Sequence, residues 1–453
     1  MIVRTTYYAS EALRVLSSEV RGLQSAAYVL AIFALFSSLL GLLRERIFAH
    51  TFGADITLDL YNAAFSIPDL LLVLIGALVS VYVLIPELAR RNDALQRDYI
   101  DTIAIGFSFL SIVACGIAAI FAPFVLERLF PELASAGHLP ALVALTRVLL
   151  LQPIFLGISN IFAAITQSRR RYFLYAISPL LYNLGIIFGA VALYPRFGIL
   201  GLALGVVAGA FLHAAIQAPS IIADGFFRRA PRFEGMRTLL STVMISLPRA
   251  FTLSMNQVAF IGLKALAGML STGSIATFMY AYNLQAVPLA IIGASYSVAA
   301  FPGLAAALAK GERTHFIEYV SVAARYVVFW SLPAIALIIV LRAHIVRVIL
   351  GSGAFDWTDT RLTAAAFALF SISLVAQGLT LLIVRAYYAA GRSFVPFFVS
   401  SLVAVLTVAL GAASIGALHI PMVQQTAEGV EVDEVILSCE VLRDQQRRGG
   451  ALG

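Results

Sequence analysis

Apolar residues in this chain come in long blocks, and polar residues come in short clusters between them. The blocks Ser25 to Leu43, Leu70 to Ile85, Thr102 to Leu126 and Ile177 to Tyr194 come close to the ~20 apolar residues a helix needs to cross ~30 Å of hydrocarbon. Followed to the end, the pattern predicts eleven helices: 25–43, 60–85, 102–128, 141–167, 172–194, 198–222, 239–267, 275–307, 315–341, 362–389 and 394–418. Ahead of them, Ser10 to Gln24 sets Ala12, Leu13, Leu16, Val20 and Leu23 at helical spacing opposite Glu11, Arg14, Ser18 and Arg21. That pattern predicts an interfacial helix lying on a membrane. The stretch "LLRERIFAHTFGADITLDLYNAAFSIPD" at 42–69 carries Arg44, Glu45, Arg46, Asp55, Asp59 and Asp69 between two apolar blocks. It is read as a turn between helices in which some charges are functional.

Composition fixes the class. A hydrophobic fraction of 61%, 12% charged residues and a mean hydropathy of +0.93 lie far from soluble domains, where about 25% of residues are charged. The chain reads as an all-α polytopic membrane protein. Its start lacks the form of a cleaved signal, so the first helix is expected to stay attached. Cys115 and Cys439 are too few and too far apart for a disulfide framework or zinc site. A net charge of +7 raises nucleic acid as a partner, but basic residues in such a chain flank helices and set topology. Nucleic-acid binding is therefore set aside. Counting Lys and Arg in the connections places sixteen on the side of the N-terminus and seven on the other, which predicts an N-terminus inside the cell.

The basic connection "ADGFFRRAPRFEGMR" at 223–237 splits the chain. The expected organisation is an interfacial segment 1–24, an N-lobe of six helices over 25–222 and a linker 223–238. A C-lobe of five helices over 239–418 and a polar tail 419–453 complete it. The halves repeat: "IPDLLLVLIGALVSVYVLIPELARR" at 67–91 matches "VPLAIIGASYSVAAFPGLAAALAK" at 287–310. Both copies fall on helices running the same way, so the repeat is parallel and predicts two pseudo-symmetric bundles with a substrate between them.

Several blocks carry a family resemblance. "SSLLGLLRERIFAHTFGADITLDLYNAAFSIPDLLLVLIGALVSVYVLIPELARR" up to Arg91, "SNIFAAITQSRRRYFLYAISPLLYN" at 159–183 and "GSGAFDWTDTRLTAAAFALFSISLVAQGLTLLIVRAYYAAGRSFVP" at 351–396 resemble the lipid II flippase family (MurJ, also called MviN) of the MOP exporter superfamily. The resemblance implies a V-shaped bundle with a central cationic cavity in the bacterial inner membrane. It implies movement of an undecaprenyl-pyrophosphate-linked peptidoglycan precursor from the inner to the outer leaflet, with cell-wall synthesis proteins as further partners. It also implies a functional arginine at Arg44 and a functional aspartate at Asp59. The family's helix 2 arginine pair, after a Pro-Asn turn, falls on Leu72 and Val73, and its helix 8 arginine on Asn283. The superfamily core has twelve helices, and lipid II flippases add two. After His419-Ile420-Pro421 the chain turns too polar to supply the twelfth or those two.

An anion crossing hydrocarbon needs cations in a wet cleft. Arg249, Asn256 and Lys264 lie seven and eight residues apart, within one helical stripe expected to face the cavity. Alternatively, the two cations snorkel to the interfaces. Arg44, Glu45 and Arg46 cannot all point one way, and family position favours Arg44 as the inward residue. Asp59 either favours the positive end of its own helix or pairs with Arg44. Arg385 is a snorkelling or phosphate-contacting residue near a helix end. Arg44, Asp59, Arg249, Asn256, Lys264, Asn283 and Arg385 are thus the candidate substrate-binding residues. Gly41, Gly76 and Gly293 are expected at close helix approaches, and Pro68, Pro86, Pro288 and Pro302 at helix starts and bends.

No glycine-rich phosphate loop, metal-spaced His or Cys, or embedded carboxylate pair is found. An enzyme and a cofactor are therefore not expected, and the energy source would be the membrane potential or an ion gradient. Competing readings are an exporter of another polyprenyl-linked oligosaccharide, a drug exporter, and a non-transporting scaffold for cell-wall synthesis. Mainly basic cavity candidates favour an anionic substrate.

Overall fold

The computed structural model describes residues 23–229, 231–390, 392 and 394–427. Apart from its last two residues, the interfacial segment 10–24 lies outside them, as does the chain beyond 427. The first half forms α1 (Leu23–Phe52), α2 (Ile56–Ala64), α3 (Ser66–Gly76), a 3-10 turn Ala77–Val79, α4 (Val81–Ala89) and α5 (Asp93–Leu129). It continues through α6 (Pro131–Ser135), α7 (Leu139–Leu149), α8 (Leu151–Ser168), α9 (Tyr172–Phe188), α10 (Tyr194–Phe197), α11 (Ile199–Ala215) and α12 (Ala218–Ala223). The second half forms α13 (Met236–Ala267), α14 (Ser274–Leu289), α15 (Ser295–Ala309), α16 (Arg313–Ile349), α17 (Trp357–Ile372), α18 (Leu374–Ala389) and α19 (Phe394–Ala427). Among the described residues 10 helices are long and apolar enough to cross a membrane, or up to 11 if the pair α17 and α18, bent by 45°, is one span.

Helix ends differ from the sequence reading. The first helix does not stop near Leu43 but runs to Phe52, because Phe48, Ala49 and Phe52 keep an apolar face that is buried. Gly53, at φ +64, then ends it with a left-handed residue, and Asp55, in extended geometry, opens α2. Arg44, Glu45 and Arg46 therefore sit on helix, and the turn shrinks to residues 53–55. At the other end α19 continues through Pro421 to Ala427, past the tail start expected at 419. Met422, Gln424, Gln425 and Ala427 are good helix formers.

Both copies of the repeat break their helix at Gly-Ala. In the first, Gly76 leads into the 3-10 turn and Ser80 turns extended at ψ 149. In the second, a π segment spans Ala290–Ala294, a device that re-aims a helix at functional positions.

Helix packing rests on glycine where backbones touch. In the first half α9 lies against α1 and α11, and α11 against α8. A Cβ on Gly189 would stand 2.7 Å from the Gly205 Cα, and one on Gly209 2.5 Å from the Tyr182 carbonyl oxygen. Gly185 and Gly189 on one helix thus face Gly201, Gly205 and Gly209 on the other, the four-residue spacing that lets membrane helices close together. Gly293 makes such an approach to the Gly378 Cα, 2.9 Å from its would-be Cβ. Gly41 has nothing within 4 Å and Gly76 only ordinary contact, because neither faces a partner helix at backbone distance.

In the second half α14 packs on α17, and α16 on α15, α17 and α18. Helix α13 packs mainly on α3, the 3-10 turn and α5 of the first half. The linker before it is tied down by the Arg232 and Glu234 N–H groups, which donate to Asp101 Oδ2 and Thr102 Oγ1 at 3.2 and 2.8 Å. Arg171 grips Asp224 with two 2.8 Å bonds. The described residues from Val405 onward, the remainder of α19, group apart from the rest of the chain.

Candidate functional site: a charge-balanced cavity between the halves

Two chambers lie between the halves. The first, of about 200 Å³, is lined by Arg44 and Glu45 from α1, Tyr61, Asn62 and Asp69 from α2 and α3, Gln152 from α8 and Tyr182 from α9. Lys264 from α13 and Tyr280 and Asn283 from α14 complete its polar lining. The second, of about 770 Å³, is lined by Leu72, Val73, Asn160, His213, Asn256, Gln257 and Tyr282 among others. Asp69 opens onto both.

The first chamber holds two cations and two carboxylates, of which Arg44 and Glu45 form a direct ion pair. Arg44 donates through Nη2 and Nε to Glu45 Oε1 at 2.5 and 3.1 Å, and through Nη1 to Asn183 Oδ1 at 3.1 Å. Lys264 is 1% exposed, and its Nζ donates to the Asn62 carbonyl at 3.2 Å. It sits 5.5 Å from the centre of the Phe260 ring and within electrostatic reach of Asp69, which shares the chamber wall with Gln152. Two cations and two carboxylates leave the chamber formally neutral. The expectation of mainly basic cavity residues is corrected: a cation held in low dielectric needs a counter-charge, and Glu45 and Asp69 stand in the same chamber.

The structure brings Arg44, Lys264 and Asn283 into the first chamber and Asn256 into the second, and leaves Arg249 and Arg385 lining neither. Lys264 is buried in the chamber wall instead of snorkelling. Arg46 turns out of the chamber, and its exposed Nη1 donates to the Val348 carbonyl at 2.7 Å. Leu72, Val73 and Asn283, where the resembled family has arginines, all stand in chamber walls.

Asp59 stands in the first turn of its own helix α2, as one expectation had it, but its hydrogen bonds lead elsewhere. Its Oδ2 accepts from the Gly273 N–H at 2.6 Å and its Oδ1 from the Ala276 N–H at 2.8 Å, so it caps α14 of the opposite half, not its own helix, and is not bonded to Arg44. The geometry follows from the α1–α2 turn pressing against the other half. Ala54 N–H donates to Asp359 Oδ2 at 3.2 Å, Ala354 N–H to the His50 carbonyl at 2.9 Å and Tyr280 Oη to the Gly53 carbonyl at 3.1 Å. Gly273, at φ +87, lies so close to the Ala54 carbonyl that no side chain fits. One end of the cavity is closed by this seam. Asp359, Gly273, Asp69, Glu45 and Gln152 were not singled out from sequence as site residues. The Asp356-x-x-Asp359 capping box was legible, but the second bond of Asp359 was not.

Solved structures define the class. The fold matches that of a protein titled lipid II flippase MurJ in an inward closed conformation, with TM-score 0.72, 21% identity, 90% of this chain and 89% of that one. It also matches an inward-facing multidrug resistance MATE transporter of the MOP superfamily, with TM-score 0.61, 16% identity, 87% of this chain and 99% of that one. The chain shares the fold of both. A probable lipid II flippase MurJ of Borreliella burgdorferi is 24% identical over 385 residues, covering 83% of this chain and 74% of its own. The profile of the family described as lipid II flippase MurJ matches residues 48–427, and the chain belongs to that family.

Proposed function

We propose that the protein moves lipid II, an undecaprenyl-pyrophosphate-linked peptidoglycan precursor, across the bacterial inner membrane by alternating opening of its cavity to the two sides. The observation that carries this reading is the placement of Arg44 and Lys264 in a buried chamber between the halves of a chain in the MurJ family. At about 200 Å³ that chamber is smaller than the ~300–1,000 Å³ of pockets for drug-sized ligands. It suits the pyrophosphate, while the glycan requires the second chamber and an opened end. With the N-terminus inside, the seam around Asp59 closes the outer end. Binding at the first chamber and breaking of that seam are then successive steps of one cycle, with the membrane potential or an ion gradient as energy source. The test is complementation of a flippase-depleted cell, with lipid-linked precursors measured directly. Arg44→Ala and Lys264→Ala at normal protein levels should leave lipid II accumulated on the inner leaflet. Full rescue by both variants, or accumulation of a different lipid-linked sugar, would overturn the reading.

A further inference from the structure

The neutrality of the first chamber creates a difficulty for an anionic substrate. A pyrophosphate diester brings two negative charges, and both cations already have counter-ions. Seating it without any other change would leave excess negative charge in a buried site, where an uncompensated charge is costly. One of the two pairings of opposite charge, Arg44 with Glu45 or Lys264 with Asp69, has to give way. Arg44 and Glu45 are neighbours on one helix in direct contact at 2.5 Å, so they move together. Asp69 and Lys264 lie on α3 and α13 in the same chamber wall, with no direct contact between them, and Lys264 is held by the Asn62 carbonyl. This pair can part without breaking a helix.

A second observation points to what Asp69 does when it loses Lys264. Gln152 is 3% exposed and lines the same chamber, yet its Oε1 has no hydrogen-bond partner. Such an orphaned buried acceptor is uncommon and calls for a donor. A carboxylate has none to give, but a protonated carboxyl does. Asp69 also opens onto the second chamber, which gives a proton a route that avoids the first.

We propose that Asp69 is a proton-binding site: when a pyrophosphate diester takes Lys264, Asp69 takes up one proton from water of the second chamber and donates it in a hydrogen bond to Gln152. Anion and proton then bind together and are released together. No electron moves; one O–H bond forms on Asp69, and one hydroxide is left to bulk water. The other titratable or charged groups facing Asp69 are Arg44 and Glu45 from α1, Tyr61 from α2, Tyr182 from α9, His213 from α11, Lys264 from α13, and Tyr280 and Tyr282 from α14. Helices α5 and α7 contribute no residue to either chamber. Of these groups only His213 titrates near neutrality in its ordinary state, so it is the control.

The proposal rests on the anionic-substrate reading, and the experiment separates the two. The full chain in nanodiscs is titrated calorimetrically with lipid II and with UDP-N-acetylglucosamine, a soluble pyrophosphate diester, in buffers of different ionisation heat. Wild type should take up about one proton per ligand, with affinity falling about tenfold per pH unit where free Asp69 is ionised. Asp69→Asn should bind with no proton uptake and a flat profile, and His213→Gln, whatever its affinity, should still take up about one proton per bound ligand. Ligand binding by wild type without proton uptake overturns the proposal and leaves the flippase reading standing. So does uptake that survives in Asp69→Asn or vanishes in His213→Gln. Proton-coupled binding of the UDP-sugar but not of lipid II upholds the proposal and overturns the lipid II reading. Binding of neither overturns both.

Discussion

The capping of α14 by Asp59 makes a quantitative prediction about the closed end. The carboxylate is 3% exposed and accepts two short N–H bonds, 2.6 and 2.8 Å, from the first turn of a helix in the other half. Hydrogen bonds to a charged group contribute about 1.5–3 kcal/mol each, and a carboxylate at a helix N-terminus adds ~0.3–1 kcal/mol. The bonds exist only while this end is shut, so their loss acts on the open–closed equilibrium. Asp59→Ala removes both acceptors and leaves two N–H groups without a partner, which should cost the closed state about 3–5 kcal/mol. At 1.36 kcal/mol per decade that is a shift of roughly a hundredfold to a thousandfold or more toward the open state. Asp59→Asn keeps one neutral acceptor and should shift it by roughly tenfold to a hundredfold.

The assay is pulsed electron resonance between spin labels at Thr51 and Trp357, exposed positions on the two sides of the seam. Wild type should show a short distance, Asp59→Ala a dominant long one, and Asp59→Asn a mixture. The remaining bonds of the seam, from Ala54, Ala354 and Tyr280, keep the halves from separating entirely. Identical short distances in all three proteins, with thermal unfolding unchanged, would refute the idea that Asp59 holds the end shut.

Three further outcomes are expected. Single cysteines at Arg170 and Arg229 should be labelled from the cytoplasmic side only and one at Thr272 from outside only; the reverse pattern would overturn the orientation. Gly205→Leu should lower the thermal unfolding temperature in detergent and cost about 1–3 kcal/mol or more, since its Cβ would collide with the Gly189 backbone; unchanged unfolding would show that α9 and α11 do not depend on this approach. Restoring cations with Asn283→Arg should tighten binding of a pyrophosphate diester about tenfold or more, because Asn283 faces the first chamber; unaltered affinity would place the phosphates elsewhere.

The membrane helices were legible because a ~20-residue apolar block has few other uses, and their count follows from composition. Their ends were not legible, since α1 carries Arg44, Glu45 and Arg46 on its last turns while remaining helical to Phe52, and charge is a poor marker of a helix end when the charges face a cavity. The cavity itself was half legible. Lys264 stood out as a cation on an apolar helix, but Asp69, next to Pro68, reads locally as an acidic residue in a first turn. Its role appears only when α13 and α8 bring Lys264 and Gln152 beside it. Asp59 makes the same point over 214 residues of chain: a local rule places it in the first turn of its own helix and cannot say that it also caps another. Reading substrate charge from the number of buried arginines and lysines is therefore unsafe, because a membrane cavity that holds cations also holds carboxylates that neutralise them. What decides the sign of the ligand is which pairing of opposite charge can be parted, and here that is the pair on two separate helices.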